Sequence, residues 1–402
     1  MKVNPGLANS VLVRKSNSSE LHLIVRSLLV FCITFAINDR GAFARDTGPS
    51  NPITADLTWS IVPSPRQGGV NIYGVSALSP TQAWAVGDIY GPLTPIIYRW
   101  NGRTWKTVSP GSIPDSSLRD VAAIAANDVW AVGYQEDSSG GDLTLTQHWN
   151  GAAWTRVSSP NPSSENYLSG VAAVAATDVW AVGYKESGGL YEELILHWNG
   201  ISWTESPTRG GAYRVLSDVA ALSPNDVWAI GYQFSFNRGY QGLAMHWNGA
   251  AWSDVAIPVT GDGYTFLYGV TAISSTDIWA VGSGGVNPIK VLTAHWDGTA
   301  WTYVPNPTLQ TDYAFLKNVT ALASDDVWAI GYLTDQNGTD QNLVEHWDGF
   351  SWTQINVPGV RSAHNQLWGV APDRAGGVWT AGSFLPTDFS RPLGSLVLRG
   401  SP

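Results

Sequence analysis

Aspartate and histidine recur together in five segments of the chain, and an imidazole beside a carboxylate can transfer protons or bind a metal ion. Each His directly precedes a Trp, and each Asp lies two residues before the central Trp of a hexapeptide of the Asp-Val-Trp-Ala-Val-Gly type. The five combinations are Asp128 with His148, Asp178 with His197, Asp226 with His246, Asp277 with His295, and Asp326 with His346. Because they are equivalent copies, we predict one hydrogen-bonded structural pair in each segment.

Two observations argue against a catalytic or metal-binding role for these pairs. Equivalent atoms of stacked sheets lie on the order of 10 Å apart, whereas a Zn–N bond measures about 2.0–2.1 Å, so the five His cannot share one ion. Two further copies of the hexapeptide lack both partners, with Gln82 and Arg99 in the first copy and Gly377 and Val397 in the last. We therefore predict no catalytic residue, no metal site and no cofactor.

Tyrosines and acidic residues form a second set that could bind a ligand. Aromatic rings stack on the C–H faces of sugars, and carboxylates accept hydrogen bonds from hydroxyl groups. The tyrosines directly follow the hexapeptide glycine, and the acidic residues are close to two of them in sequence: Tyr134, Tyr184, Tyr232, Tyr332, Glu136, Glu186 and Glu192. The other hexapeptides are followed by Asp88, Ser283 and Ser383. This asymmetry predicts one local ligand site near Tyr134, Tyr184 and Tyr232 rather than several equal ones.

A sequence repeat positions these residues. The hexapeptide occurs seven times with a period of roughly 50 residues, and its tryptophans are Trp84, Trp130, Trp180, Trp228, Trp279, Trp328 and Trp379. A period of this length is typical of propellers and solenoids. Each full repeat contains four strand-like pieces, and Asn-Gly or Asp-Gly separates the third from the fourth. Such a dipeptide predicts a hairpin turn with both residues at positive φ.

The two ends of the repeat region predict how the fold closes. The last repeat supplies only three strand-like pieces, within 366–370, 378–382 and 395–398. The segment Thr58–Pro63 resembles a fourth piece and has no other three before it. Pairing it with the last repeat leaves no free sheet edge. The predicted fold is all-β: a seven-bladed β-propeller of four-stranded blades whose ring is closed by the N-terminal strand.

The first strand of each repeat is expected to line the axis, because its Val-Ala-Ala-like sequence is small enough for converging blades. The residue before its valine is polar in three alternate repeats and glycine in the others. The polar residues are Asp120, Asp218 and Asn318. We predict that they surround one mouth of the axial channel. There they would either hold water or a hydrated cation, or accept hydrogen bonds from neighbouring backbone.

The chain resembles the secreted bacterial β-propellers with Asp-Val-Trp-Ala-Val-Gly repeats, within the broad kelch and galactose-oxidase-like group. The resemblance covers residues 57–402. It implies the propeller scaffold but no particular activity, because propellers carry many unrelated functions. The copper chemistry of galactose oxidase requires a Tyr–Cys crosslink. The only cysteine in this chain is Cys32, which lies in the N-terminal segment.

That N-terminal segment and the charge balance indicate location and partners. Basic residues, the apolar run Ser27–Ile37 and a small-x-small sequence follow one another, as in a secretory signal peptide. We expect a signal peptide or anchor at 1–44, a linker at 45–57 and the propeller at 58–402. The formal net charge is −10, and no basic stripe is present for nucleic acid or an anionic membrane.

We therefore expect a secreted or cell-surface protein that is monomeric and acts as a non-catalytic binding module. Its ligand would be carbohydrate or protein, bound where the loops vary, because binding groups concentrate on loops of a rigid scaffold. These loops also contain Phe234, Phe236, Tyr240 and Tyr264. We expect no nucleic-acid partner and no membrane contact beyond an N-terminal anchor. Two alternatives remain open: a glycan-active enzyme that uses the same face, and a purely structural surface protein.

Overall fold

The fold is described from a computed structural model that covers residues 57–258, 263–390 and 392–402. These residues form 28 strands in seven four-stranded antiparallel sheets. The first strands of consecutive sheets contact one another in sequence, and the last contacts the first. The sheets are therefore the blades of a closed ring, and the predicted seven-bladed β-propeller is confirmed. The expected signal peptide or anchor, and the expected linker up to residue 56, lie outside the described residues.

Blades 1 to 4 follow one another along the chain. Blade 1 contains β2 (Val70–Ser79), β3 (Gln82–Ile89), β4 (Thr94–Trp100) and β5 (Trp105–Val108). Blade 2 contains β6 (Ser116–Ala125), β7 (Asp128–Glu136), β8 (Asp142–Trp149) and β9 (Trp154–Val157). Blade 3 contains β10 (Glu165–Ala175), β11 (Asp178–Ser187), β12 (Leu190–Trp198) and β13 (Trp203–Glu205). Blade 4 contains β14 (Arg214–Ser223), β15 (Asp226–Ser235), β16 (Gly239–Trp247) and β17 (Trp252–Asp254).

Blades 5 to 7 complete the ring. Blade 5 contains β18 (Thr265–Ser274), β19 (Asp277–Gly284), β20 (Lys290–Trp296) and β21 (Trp301–Val304). Blade 6 contains β22 (Ala314–Ala323), β23 (Asp326–Thr334), β24 (Asp340–Trp347) and β25 (Trp352–Gln354). Blade 7 contains β26 (Ala363–Pro372), β27 (Val378–Pro386), β28 (Gly394–Ser401) and β1 (Thr58–Ile61). None of the described residues forms a helix long and apolar enough to cross a membrane.

The N-terminal strand closes the ring, as predicted. β1 pairs antiparallel with β28, from Thr58 opposite Ser401 to Ile61 opposite Leu398. It is the outermost strand of the sheet β1-β28-β27-β26. Trp59 of β1 also packs against Trp328 of blade 6, with ring centroids 5.5 Å apart. Blade 7 therefore has the same four strands as the other blades.

The hexapeptide tryptophans hold adjacent blades together. The ring of Trp84 in blade 1 lies 5.1 Å and 5.3 Å, between centroids, from the rings of Trp149 and Trp154 in blade 2. The same three-ring contact recurs at five further junctions. All seven hexapeptide tryptophans are at most 2% exposed. Because truncating a buried Trp costs about 3–5 kcal/mol, this repeated contact is a main source of the stability of the ring.

The turns between third and fourth strands differ from the prediction in one respect. Positive φ is confined to the glycine, which is 89° at Gly102. The Oδ1 atom of Asn101 instead accepts hydrogen bonds from the backbone N–H groups of Arg103 and Thr104, at 3.0 Å and 2.9 Å. The prediction of two residues at positive φ is therefore wrong. The Asn side chain makes part of the turn, so its own backbone does not need the left-handed conformation.

The strands alternate in direction, so each blade presents two kinds of connection on opposite faces. The short turns between first and second strands, and between third and fourth strands, lie on what we call the turn face. The variable connections between second and third strands, and from each blade to the next, lie on what we call the loop face. The first strand of every blade begins at the loop face and runs along the axis.

Each of these inner strands contains a β-bulge at the same place. The pairing register shifts around one residue, for example between Leu118 and Asp120, and a bulge redirects a side chain. The seven bulged residues are Tyr73, Arg119, Ser169, Ser217, Tyr268, Lys317 and Trp368. All seven are partly exposed. Several contact one another between blades, such as Tyr73 and Trp368 at 6.2 Å between ring centroids. They therefore line the axial channel.

Candidate functional site

The five Asp–His combinations are in contact at the turn face. The His Nε2 atom lies 2.8–2.9 Å from the Asp Oδ1 atom in all five blades. Each imidazole also packs on the hexapeptide Trp of its own blade, at 4.1–4.5 Å between ring centroids. Each pair connects the start of the second strand to the end of the third. No group of three His, Cys, Asp or Glu residues within the described ranges could hold a metal ion.

Blades 1 and 7 place an arginine where the other blades have histidine. Arg99 pairs with Trp84, and Arg399 pairs with Trp379. Each guanidinium carbon lies 5.1 Å from the centroid of that Trp ring. The alignment that gave Val397 this position is therefore wrong by two residues, because β28 has no His-Trp dipeptide to mark its register. A cation or imidazole over the Trp in every blade points to a structural role.

Asp120, Asp218 and Asn318 directly follow bulged residues and accept hydrogen bonds from the backbone. Asp120 accepts from the N–H of Val171 in blade 3, and Asp218 accepts from that of Val270 in blade 5, both at 2.9 Å. Asn318 accepts from the N–H of the next residue at 2.8 Å. Burial raises the pKa of Asp120 to about 7. Burial, followed by the charge of Asp120, raises the pKa of Asp218. Asp120 and Asp218 therefore connect adjacent inner strands. The hydrated cation predicted at this mouth of the channel stays a prediction.

The alternation of these residues with glycine has a steric cause. A Cβ atom at Gly170 would lie 2.9 Å from the Cα atom of Asp218, and one at Gly74 would lie 2.8 Å from the Cα atom of Asp120. Real Cβ atoms do not approach a backbone atom so closely. The inner strands therefore approach so closely that a Cβ atom is excluded from the blade that precedes Asp120 or Asp218.

Two of the four tyrosines predicted to bind a ligand are buried. Tyr134 and Tyr332 are 3% and 4% exposed. Their rings pack against the inner strand of the next blade, where Tyr134 contacts Tyr167 at 5.0 Å and Tyr332 contacts Trp368 at 5.8 Å between centroids. The blades converge over these two residues, so their rings offer little surface to a ligand. Tyr184 and Tyr232 are partly exposed.

The three acidic residues predicted beside these tyrosines have different surroundings. Glu136 is exposed, and Glu186 forms a hydrogen bond with Tyr191. The carboxylate of Glu192 lies 4.0 Å from the Nζ atom of Lys185. A shallow groove of about 420 Å³ is lined by Pro162, Ser163, Ser164, Lys185, Ser187 and Glu192. This groove lies on the loop face, between blade 3 and the connection that leads into it.

A continuous row of aromatic rings crosses the loop face from blade 4 to the channel-lining residue of blade 5. We call it the aromatic track, and its members in order are Tyr213, Phe236, Phe234, Tyr240, Phe266 and Tyr268. Successive ring centroids lie 4.9–6.2 Å apart. Tyr232 flanks the track, 5.0 Å from Phe266, and Tyr264 flanks it, 5.4 Å from Tyr240. Phe236 is 83% exposed.

Strand pairing explains the order of these rings. Phe234 of β15 lies opposite Tyr240 of β16, and opposite residues on antiparallel strands bring their side chains together. The loop between them turns at Gly239, whose φ is 71°. In blade 5, Phe266 and Tyr268 alternate along β18, and the bulge places Tyr268 at the channel. Local pairing in one blade and the bulge of the next therefore join into one row.

The track ends at the amine of Lys317, the bulged residue of blade 6. Its Nζ atom lies 4.0 Å from the ring centroid of Tyr268, 4.9 Å from Phe315, 5.3 Å from Trp368 and 5.6 Å from Tyr332. We call these four rings the Lys317 cage. Burial lowers the pKa of Lys317 to about 7. No carboxylate of the described chain forms an ion pair with it.

Arg119 is the other cation among the bulged residues, and its surroundings differ. Its guanidinium carbon lies 4.3 Å from the ring centroid of Tyr73, and it donates a hydrogen bond to the Tyr134 hydroxyl at 3.3 Å. Burial alone would lower the pKa of Arg119. The electrostatic influence of Tyr73, Tyr134 and Asp88 outweighs burial, so the pKa lies above its ordinary value. Arg119 therefore has protein partners, whereas Lys317 has only ring faces.

Sequence reasoning identified part of this site. It marked Tyr232 and the loop aromatics of blade 4, but it did not identify Phe266, Tyr268 or Lys317. The alternation of Phe266 and Tyr268 in β18 was a usable signal, since residues two apart share a face of a strand. A lysine in an otherwise uncharged inner strand was a second signal.

The fold and site define a β-propeller with an aromatic loop face, and known structures share its fold. The structure of YCF48 bound to a D1 peptide covers 88% of this chain and 98% of its own, with 14% identity and a TM-score of 0.53. An ulvan lyase of polysaccharide lyase family PL25, bound to a saccharide of GlcA and Rha3S, covers 84% and 95%, with 11% identity and a TM-score of 0.53.

A third structure, the fucose-specific lectin from Aleuria aurantia, covers 73% of this chain and 97% of its own, with 12% identity and a TM-score of 0.46. No family model matches the chain, and no curated protein matches it in sequence. At these identities, the first two structures show the shared fold alone.

Proposed function

We propose that this protein is an exported, non-catalytic binding module that holds a carbohydrate along the aromatic track. The observation that carries the proposal is the unbroken row of rings from Phe236 to Tyr268. Rings in series suit the successive units of a saccharide, since sugar C–H faces stack on aromatic surfaces. Export rests on the pattern of the N-terminal sequence. The assignment to the Asp-Val-Trp-Ala-Val-Gly propellers of the kelch-like group rests on the hexapeptides.

Preorganisation supports a binding role. Four contacts of the track are edge to face or tilted, for example at 80° between Phe234 and Phe236 and at 35° between Tyr240 and Phe266, and the rings of Phe266 and Tyr268 are parallel. Each ring therefore restricts its neighbour before any ligand arrives. A site whose side chains are already ordered loses less entropy on binding, so it can bind a flexible saccharide without first rearranging.

Carbohydrate is favoured over protein by the kind of surface that the track presents. YCF48 is seen with a peptide and the ulvan lyase with a saccharide, so this fold can accommodate either ligand class. An extended peptide would gain most from an open strand edge. The aromatic track offers ring faces and hydroxyl groups at the ends of strands, and the outer strand edges of the blades lie away from it.

A glycan-active enzyme is the second candidate, and one observation favours it. Lys317, with its pKa lowered to about 7 by burial, lies beside the phenol of Tyr268, whose pKa is raised to about 12. An amine that titrates near neutral pH can act as a general base. Incubation with acidic and neutral polysaccharides, followed by measurement of new reducing ends and unsaturated products, distinguishes an enzyme from a binding module.

The direct test of the binding proposal is a glycan array probed with residues 45–402, alongside a peptide array of equal size. We expect binding to saccharides that is competed by the same saccharide free in solution. Binding to peptides alone, or to neither array, would contradict the carbohydrate proposal. Cleavage of a bound saccharide would favour the glycan-active enzyme over the non-catalytic binding module.

A further inference from the structure

Within the described residues, Lys317 differs from Arg214 and Arg399 in having no acidic partner. Arg214 pairs with Glu193 at 3.1 Å and with Asp254 at 2.6 Å. Arg399 pairs with Asp373 at 2.8 Å. Around Lys317, the neighbouring strands contribute Tyr268 from β18, Tyr332 from β23 and Trp368 from β26. The cage therefore attracts a cation through ring faces but supplies no counter-charge.

Such a residue is costly unless something compensates its charge. A buried cation without a counter-ion loses its hydration, and the faces of aromatic rings replace only part of that loss. An apolar side chain would fill the same cage without this cost. The lysine at this position therefore suits a protein whose missing counter-charge arrives with a ligand.

The position of Lys317 indicates which ligand could supply that charge. Tyr268 is both the last ring of the aromatic track and the nearest ring of the Lys317 cage, 4.0 Å from Nζ. Lys317 is partly exposed within the channel. The sugar unit bound at Tyr268, the channel end of the track, would lie next to the amine of Lys317. An acidic group on that unit would therefore meet a cation that has no other counter-charge.

We propose that Lys317 is the anion-recognition residue of an acidic-saccharide site, with the aromatic track holding the sugar rings. This inference rests on the proposed carbohydrate function and names the class of carbohydrate. The acidic group is a uronate carboxylate or a sulfate ester, since both present oxygens that accept hydrogen bonds from an ammonium group. Arg119 is not needed for this contact because it already bonds to Tyr134.

The first experiment reads the amine directly and does not require a tight ligand. The protein is labelled with [¹³C]lysine, and the signal of Lys317 is assigned by its absence in Lys317→Arg. We expect it to shift and saturate on titration with glucuronate or with galactose 6-sulfate, and to stay still with glucose. The two acidic probes distinguish carboxylate from sulfate. No shift with either acidic probe would overturn the inference.

The second experiment separates this inference from the proposed function. Calorimetry compares an oligogalacturonate with its carboxyl-reduced, neutral counterpart. We expect at least tenfold tighter binding of the acidic chain, loss of that preference in Lys317→Met, and its partial retention in Lys317→Arg. Equal binding of both chains by the unmutated protein would overturn the anion subsite but leave carbohydrate binding standing. Absence of binding to any saccharide, with acidic peptides bound instead, would overturn both.

Discussion

The Nζ atom of Lys317 lies 4.0 Å from the ring centroid of Tyr268, and the two residues occupy the same bulge position in adjacent blades. This contact joins two features that are separate in the sequence. One is a row of rings built from blades 4 and 5, and the other is an unpaired amine from blade 6. The contact places a charge at the axial end of an otherwise apolar surface.

Replacing Phe236 by Ala should weaken saccharide binding by about 1 kcal/mol, because it removes the most exposed ring of the aromatic track. Stability should change by less than about 0.5 kcal/mol, as for most exposed positions. The matched control is Phe350→Ala, since Phe350 is 79% exposed and lies in a turn on the opposite face. Calorimetry and thermal unfolding measure the two effects. Equal loss of affinity in both variants would argue against the track.

Lys317→Met should make stability less dependent on pH. Burial lowers the pKa of Lys317 from 10.5 to about 7, so between these values the unfolded chain binds more protons than the folded chain. The stability of the unmutated protein therefore gains from rising pH in this window. Below pH 7 the variant should be more stable by roughly 2–4 kcal/mol, after the attraction of the rings for the cation is allowed for.

The difference between Lys317→Met and the unmutated protein should shrink towards pH 10. Urea unfolding at pH 6, 8 and 10 measures it. Tyr268 does not interfere, because its pKa is raised to about 12. Lys290→Met is the control, since Lys290 is exposed and should show no such trend. A difference that stays constant with pH would show that the amine of Lys317 keeps its ordinary pKa in the folded protein.

Asp120→Asn should stabilise the protein at alkaline pH. The pKa of Asp120 is raised to about 7, so between about pH 4 and pH 7 the folded chain binds more protons than the unfolded chain. This group therefore destabilises the fold progressively as pH rises through that window. An amide removes the charge and can still accept from the N–H of Val171, so we expect a gain of about 1–3 kcal/mol at pH 8 and none at pH 4.

Asp120→Ala is the contrasting variant for this position. It also removes the charge, but it leaves the N–H of Val171 without its acceptor, which costs about 1–3 kcal/mol. Chemical unfolding of both variants across pH 4–8 measures the comparison. Equal stability of the two variants would show that the hydrogen bond to blade 3 contributes nothing.

Asp178→Ala should destabilise the protein by about 1–3 kcal/mol. His197 would lose its hydrogen-bond partner 2.8 Å away, and because this imidazole is partly buried, water would replace that bond only in part. The matched control is Gln82→Ala in blade 1, which alters the equivalent position where no histidine is present. We expect the control to change stability by less than about 0.5 kcal/mol. Similar losses at both positions would mean that the Asp–His contact adds no stability of its own.

Removal of residues 45–64 should open the ring. β1 would be lost from the edge of blade 7, and the backbone groups of β28 that pair with it would be exposed, which favours edge-to-edge association. We expect a lower melting temperature and aggregation in light scattering. Removal of residues 45–56 alone keeps β1 and should change neither. An unaltered, monodisperse protein after the longer deletion would contradict closure by this strand.

The fold was predictable because its signals are repeated in every blade. The same tryptophan occurs at the same place seven times, so an error in one repeat is corrected by the others. The error at Val397 arose in β28, the one third strand in which a glycine, Gly400, replaces the tryptophan that marks the register. The site was harder to predict because its members are exceptions to the repeat. Only tertiary packing shows that Tyr134 is buried or that Tyr268 lies against Lys317.

The bulge of the inner strand also has a consequence for how such a protein diversifies. One backbone geometry occurs seven times, yet its side chains are Tyr, Arg, Ser, Ser, Tyr, Lys and Trp. These positions point into the channel, whereas the interlocked tryptophans between blades carry the stability. Single exchanges at a bulge can therefore change the chemical groups that line the channel while the scaffold persists.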